Sequence, residues 1–316
     1  MKGEAEGTVR WLLQGDPAIR WQTLRDLVGA SADSVTRERQ KVSREGWGAR
    51  LLAIQDPAGT WAGGRSADGG LYSPKWISTT YTMLLLRDFG LPSANRKAKK
   101  ACRILLTKGL QRDGGINYGW RGQSETCITG MILSILSCFE LDDARLDRVA
   151  EHLLEQQMSD GGWNCKRPRG ATHSSVHTTL SALEGLDRYE RHRGRKKKAV
   201  REAQHRGREF LLVHRLFRSH RTGKVIKPVF LRFAFPPRWH YDLLRALDYF
   251  QGVRAPRDPR LAEAIGIVRK SRLPDGRWPL QHSYSGKTYF QLERLGAPSR
   301  WNTLRALRVL KWWEGA

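Results

Sequence analysis

The chain has 316 residues, 40% of them hydrophobic, with twelve tryptophans and four cysteines; this is enough for a large core, and cysteines so few and so irregularly spaced exclude a disulfide framework. No apolar run reaches the ~18 residues of a membrane span, and the opening "MKGEAEGTVRWLLQGD" has neither the apolar stretch nor the cleavage site of a secretory signal, so a cytoplasmic protein is expected. The formal net charge of +25 attracts phosphate, anionic lipid and nucleic acid. It is densest over 191–208 and 95–103, where no helix-turn-helix, zinc-finger or RNA-recognition signature accompanies it. Nucleic acid is therefore set aside as a partner. Solvated outer helix faces are the first reading of the charge, and peripheral contact with an anionic membrane surface is the second.

Taken in chain order, helical patterns alternate between two kinds. Amphipathic first helices are expected near 4–14, 34–54, 94–107, 143–157, 196–217 and 258–271. Each is followed by a more apolar second helix, opening near Ile19, Trp76, Glu125, His173, Arg238 and Arg300. Glycine turns ending in a large apolar residue punctuate four of the six pairs: "QDPAGTW" to Trp61, "LQRDGGI" to Ile116, "QMSDGGW" to Trp163 and "RLPDGRW" to Trp278. Strand signals are nearly absent. A hairpin of one amphipathic and one apolar helix cannot bury its apolar partner alone, so six hairpins must stack. Apolar second helices favour a closed ring over an open solenoid, with Trp11, Trp21, Trp301, Trp312 and Trp313 at the seam between the chain ends. The expectation is an all-α (α/α)6 toroid forming a single domain over 1–316.

The Q-x3-G-x-W spacing of Gln55–Gly59–Trp61 and Gln157–Gly161–Trp163 resembles the repeat of squalene and terpene cyclases. Leu110 and Arg272 replace the glutamine in the other two copies. The six-hairpin pattern is similar to the toroid shared by those cyclases and protein prenyltransferase β subunits.

Alignment of the second helices groups Trp21, Thr80, Cys127, His177, Tyr241 and Trp301, with Trp76, His173, Glu125 and Trp239 about one turn earlier. Trp21, Trp76, Thr80, Trp239, Tyr241 and Trp301 are the candidate substrate pocket at the mouth of a central cavity, or alternatively aromatics that plug it. His173 and His177 are four apart, which on one helix makes them neighbours able to share a metal ion. Thiolate, imidazole and carboxylate suit zinc. The prenyltransferase resemblance implies zinc held by an Asp-x-Cys at one inner helix start and a histidine at the next. Glu125-Thr126-Cys127 matches the first element, with Glu for Asp, and His177 matches the second. The metal set is thus Glu125, Cys127, His177 and His173, with Cys165 a weaker candidate. Hydrogen-bonded buried polar groups are the alternative reading.

Ile128 stands where that family has a tyrosine, and its diphosphate-binding Arg and Lys spacing is unmatched. Arg121, Lys166, Arg167 and Arg169 are the remaining phosphate candidates. The Asp-x-Asp-Asp acid of class II cyclases is absent; the nearest string, "ELDD" at 140–143, falls after an inner helix and suits a cap. Asp242 beside His240 is a possible acid–base pair or simple packing. The functional expectation is a prenyltransferase- or terpene-cyclase-like enzyme whose zinc activates a thiol or water toward an isoprenoid-like molecule. The alternatives are a non-catalytic hydrophobic-ligand protein and a structural scaffold.

Overall fold

The computed structural model describes residues 2–119, 123–194 and 198–315. Arg121 of the phosphate set, and Lys196 and Lys197 of the basic block, lie outside the described residues. The described chain is all-α: α1 (Lys2–Leu13), α2 (Pro17–Thr23), α3 (Ala32–Lys41), α4 (Gly46–Ala53), α5 (Thr79–Phe89), α6 (Arg96–Gly109), α7 (Thr126–Cys138), α8 (Arg145–Glu155), α9 (Val176–Arg193), α10 (Lys198–Val213), α11 (Leu243–Gly252), α12 (Ala262–Lys270) and α13 (Arg300–Glu314). The single sheet among the described residues pairs β1 (Trp278–Pro279) with β2 (Pro298–Ser299), antiparallel, Trp278 opposite Ser299. None of the described helices is long and apolar enough to cross a membrane. The chain divides into two compact units: Met1–Ala53, Asp88–Pro92 and His214–Ala316 form one, Ile54–Arg87 and Ser93–Val213 the other.

In the second unit the two helix types bury differently. α6 buries Ala98, Ala101, Cys102, Leu105, Leu106 and Gly109, one face at helical spacing, while Lys97, Lys100, Arg103 and Lys108 stay exposed. α7 buries every residue from Ile128 to Ser137 and so has no solvent face. It packs directly on α9, where Gly130 lies against the backbone of Ser181 and Gly185 lies against the backbone of Gly130. The basic residues thus occupy outer faces, as their spacing implied.

The repeated turn explains the sequence motif. Gly59, Gly114, Gly161 and Gly276 all have positive φ, between +82° and +99°, a conformation that glycine adopts at little cost. Gln157 Nε2 donates to Gly161 O (2.7 Å) and to Ala203 O of α10 (2.8 Å), and Gln55 Nε2 does the same to Gly59 O (2.9 Å) and Lys97 O of α6 (3.1 Å). The glutamine therefore locks its own turn and ties it to the next outer helix. Arg272 takes over the first of these bonds, Nε to Gly276 O at 3.2 Å. At Leu110 the side chain can make neither bond, and the neighbouring Gln111 donates instead to Gly109 O and Asn117 O. The indoles of Trp163 and Trp278 reach back ten residues to the carbonyls of Leu153 and Val268.

In the first unit the chain ends meet. α13 packs on α2. The guanidinium groups of Arg277 and Arg300 lie 4.2 and 4.4 Å from the Trp11 ring. Arg308 joins Asp248, with both nitrogens at 2.5 Å, to Gln22 (3.0 Å) and Asp26 (3.3 Å). Two expected boundaries move. The long helix over 34–54 is broken between α3 and α4, where Gly46 takes φ +66° and the Asp16 carboxylate accepts the Trp47 N–H at 2.7 Å. The helix expected from Arg238 begins only at Leu243, because Asp242 is its N-cap and accepts the Arg245 N–H at 2.8 Å.

Candidate functional site

A threonine in the first turn of α5, α7, α9 and α13 sets the register of the site. Its Oγ1 accepts the backbone N–H of the turn residue: Trp61 to Thr79 (3.0 Å), Ile116 to Thr129, Trp163 to Thr179 and Trp278 to Thr303 (each 2.9 Å). All four threonines are buried. Two residues before them stand Ile77, Cys127, His177 and Trp301. Thr80, aligned with Cys127 in the sequence, is three residues further on; its hydroxyl donates to Leu71 O at 2.7 Å and it is wholly buried.

Glu125 is the N-cap residue of α7 and Cys127 the second residue of the helix. Cys127 Sγ lies 3.9 Å from Glu125 Oε2. Cys165, two residues after Trp163, comes from the next hairpin, and its N–H donates to Thr178 Oγ1 at 3.4 Å. Interaction with Cys127, and secondarily with Thr178, lowers the Cys165 thiol below its ordinary value, while interaction with Cys165 and burial push the Cys127 thiol up. Burial first, then the charges of Cys127, Glu125 and Cys165, raise the Tyr72 phenol well above its ordinary range. Tyr72 packs on Tyr81 (ring centroids 5.2 Å), and Trp76 sets its edge on Tyr81 at 4.8 Å. A thiol, a carboxylate and an aromatic wall thus lie within the second unit.

The sequence-based set is only partly gathered. α9 begins at Val176, so His177 is its second residue while His173 lies on the preceding loop, exposed, its carbonyl accepting Asn164 Nδ2 at 2.7 Å. The four-residue spacing therefore does not fall within one helix, which corrects the premise that the two imidazoles are helical neighbours. Glu125, Cys127 and Cys165 supply soft and hard donors of the kind zinc accepts. Among the described residues, however, no three of His, Cys, Asp and Glu are grouped so as to hold a metal ion. The donors are right in kind and short in arrangement.

Of the phosphate candidates, Arg167 Nη1 donates to Glu155 O at 2.6 Å, and Lys166 and Arg169 are exposed. The other pocket candidates belong to the first unit. Trp21 is buried, its indole donating to Phe89 O at 2.8 Å, with the Arg25 guanidinium 4.6 Å from the ring. Trp301 stacks on Phe235 (4.1 Å) and Phe89 (5.8 Å). Its indole N–H is buried without a hydrogen-bond partner. Tyr241 is buried and donates to Leu216 O at 2.6 Å. Trp239 stacks on His240, which stacks in turn on Tyr284, each pair at 3.7 Å. Asp242 is fully buried, and burial raises its carboxyl against the opposing pull of Arg305 and the Arg245 amide. Its Oδ1 is the α11 cap, so its first role is structural.

Sequence reasoning undervalued Cys165 and missed Tyr72 and Tyr81. The signal for Cys165 was its offset of two from the anchored Trp163, the mirror of Cys127 standing two before the anchoring Thr129.

No protein-family model matches the chain, and no curated protein matches it. Among solved structures, a protein from Actinoplanes is 16% identical, with 99% of each chain covered and a TM-score of 0.48. A variant of the type II terpene cyclase MstE from Scytonema, in complex with geranylgeranyl dihydroxybenzoate, is 17% identical over 98% of this chain and 96% of that one, also with a TM-score of 0.48. The same cyclase without ligand is 12% identical over 87% and 96%, with a TM-score of 0.35.

Proposed function

We propose that the chain is a prenyltransferase- or terpene-cyclase-like enzyme that acts on an isoprenoid-like small molecule at the cluster of Glu125, Cys127, Cys165 and Tyr72. The observation that supports this reading is the Cys127 thiol against the Glu125 carboxylate at the start of α7, with Tyr72 close enough to feel both charges and packed into an aromatic wall with Tyr81 and Trp76. Tyr72, Trp76 and Tyr81 offer apolar faces to a hydrocarbon chain or π faces to a developing cation. The Cys165 thiol is lowered from its ordinary value, which favours the thiolate, the form that attacks an electrophilic carbon or binds a soft metal. Zinc is the cofactor this reading carries, with Glu125 and Cys127 as donors, His177 the histidine implied for it, and His173 the fourth candidate. The absence of an assembled three-donor set among the described residues favours a second reading, in which the same wall holds a hydrophobic ligand without chemistry.

The test is metal content by mass spectrometry together with retention of a prenyl diphosphate. Wild type is compared with Cys127→Ala, Cys165→Ala and Trp76→Ala. The enzyme reading expects about one zinc per chain, lost in Cys127→Ala, and turnover lost in both cysteine variants. Ligand retained by both cysteine variants but lost in Trp76→Ala, with no zinc in any sample, selects the binding protein. Full zinc in Cys127→Ala refutes the donor assignment.

A further inference from the structure

We propose that His214 and His220, both in the first unit, form a two-imidazole chelate for a divalent transition-metal ion of square-planar or octahedral preference, of the nickel or copper(II) class. His220 Nδ1 lies 3.0 Å from His214 Nε2, with the rings nearly perpendicular at 84° and their centroids 4.8 Å apart. One ring nitrogen donates to the other, so a single proton stands between two atoms that can both ligate a metal. Two metal–nitrogen bonds of about 2.05 Å drawn to atoms 3.0 Å apart enclose an angle of about 94°. That is close to the cis angle of a square or an octahedron, whereas a tetrahedral ion would want the nitrogens about 3.3 Å apart. On binding, the donating ring shifts its proton to its other nitrogen, and both imidazoles ligate as neutral bases.

The backbone brings the two rings together against its local preference. His214 follows the last residue of α10, and Arg215 and Leu216 come next in the left-handed region, at φ +45° and +69°. Burial of Leu216 and Phe217 pins this reversal, and His214 O accepts both the Phe217 N–H (3.0 Å) and the Arg218 N–H (2.7 Å). The chain then enters a short hairpin, with Arg218 bridged to Val225 and the Ser219 N–H donating to Lys224 O at 2.8 Å. Arg218 holds the tip by donating to Gly223 O at 2.7 Å, and Glu263 clamps its guanidinium from the other side. His220 is thus presented on a braced turn. The surroundings select the ion. Arg215, Arg221 and Lys224 are exposed, and the one carboxylate that meets this turn, Glu263, is engaged by Arg218, so a hard cation that needs a shell of oxygens is not drawn here. Imidazole suits the later first-row ions, and affinity rises through nickel to copper. Among the described residues no group of three His, Cys, Asp or Glu forms around the pair, so water fills the remaining positions.

The test is equilibrium dialysis of the full chain, first freed of metal by a chelator, against nickel(II), which unlike copper(II) leaves the thiols unoxidised. The expected result is saturable binding of about one nickel per chain. Binding should weaken by about tenfold or more in both His214→Asn and His220→Asn. It should be unchanged in His205→Asn, which alters an exposed histidine of α10, and in an excess of magnesium or calcium. In the wild type, nickel should also protect His214 and His220 from acylation by diethyl pyrocarbonate, read by peptide mass; this arm needs no variant to fold. Absence of saturable nickel overturns the proposal and leaves the pair a plain hydrogen bond. So does nickel retained by both Asn variants, or protection that falls on other histidines. Cys127→Ala should keep its nickel, so this site and the proposed zinc donors fail or stand separately, and nickel lost in that variant overturns the assignment to the histidine pair.

Discussion

The contact between α7 and α9 makes a quantitative prediction for Gly130→Ala. A Cβ at Gly130 would meet Ser181 O at 2.5 Å, Ser181 C at 2.7 Å and Ala182 N at 2.8 Å. Ordinary contact begins at 3.4 Å, so the helices must part by about 0.9 Å. The obstructing atoms are backbone and cannot rotate away. A gap of that size forfeits about a quarter to a half of each dispersion contact along the interface. Overpacking costs ~1–3 kcal/mol, and the unyielding backbone argues for the upper end. Alanine returns ~1 kcal/mol of helix propensity, leaving a net loss of about 2 kcal/mol. An unfolding entropy of about 2.1 cal/mol/K per residue gives about 0.66 kcal/mol/K for 316 residues. The melting temperature should therefore fall by about 3 °C. Gly266→Ala in α12 is the control, because nothing lies within 4 Å of its added Cβ. It should gain the propensity term and melt about 1–2 °C higher. Thermal melts followed by far-UV circular dichroism compare the two. If Gly130→Ala melts at or above wild type, the close helix contact is not where the structure puts it.

The remaining predictions concern polar groups. Thr179→Val keeps the shape but leaves the buried Trp163 N–H unpaired, at a cost of about 1–3 kcal/mol in urea denaturation; Thr179→Ser should recover most of it. Asp248→Ala strips Arg308 of its bidentate partner and should cost about 3 kcal/mol, the low end for a broken buried pair because Asp26 and Gln22 remain. Two carboxylates, one buried and one half-buried, should tilt the pH profile in opposite directions. Asp242 is raised by burial, so its stability contribution is complete below the unfolded value near 4 and is lost as pH climbs through the folded value; Asp242→Asn should flatten that decline. Burial also pushes Asp26 up, but Arg25 and Arg308 outweigh it and hold the carboxyl low. Its contribution is present above pH ~4 and lost on acidification through the lower folded value, and Asp26→Asn should remove that acid loss. Denaturant midpoints between pH 3 and 8 read both slopes.

Much of the helical organisation was legible because it is written in local chemistry. One-faced apolar spacing marks α6 and α8, continuous apolar sequence marks α7, and an Asp-Gly turn with a positive-φ glycine closes the first helix in three copies. The helix starts were less legible. The sequence separation of turn residue and threonine varies (18 for Trp61–Thr79, 13 for Ile116–Thr129, 16 for Trp163–Thr179, 25 for Trp278–Thr303), so alignment through the loops drifts. That drift put Thr80 in the place of Ile77 and drew His173 onto a helix that starts three residues later. The break before α4 depends on Asp16 reaching Trp47, a contact 31 residues away in sequence that no local pattern announces.

The candidate site divides along the same line. Glu125 and Cys127 are two residues apart at a helix start, so their meeting is a property of one turn and could be read directly. Where Cys165 stands depends on Trp163 being pinned to Thr179 and on α9 packing tightly on α7 through Gly130 and Gly185, which no local pattern announces. The threonine anchor holds backbone to side chain and says nothing about the residue two positions before it. That position is free to be Ile77, Cys127, His177 or Trp301 without disturbing the hydrogen bond that defines the hairpin. A regular scaffold of this kind separates folding from chemistry: the anchors fix where the variable residues stand, and the variable residues decide what is done there. It follows that Thr129 and Thr179 hold the turns beside Cys127 and Cys165. Replacing either should shift the neighbouring cysteine before it unfolds the protein, whereas Thr303, which has no cysteine in its turn, should affect stability alone.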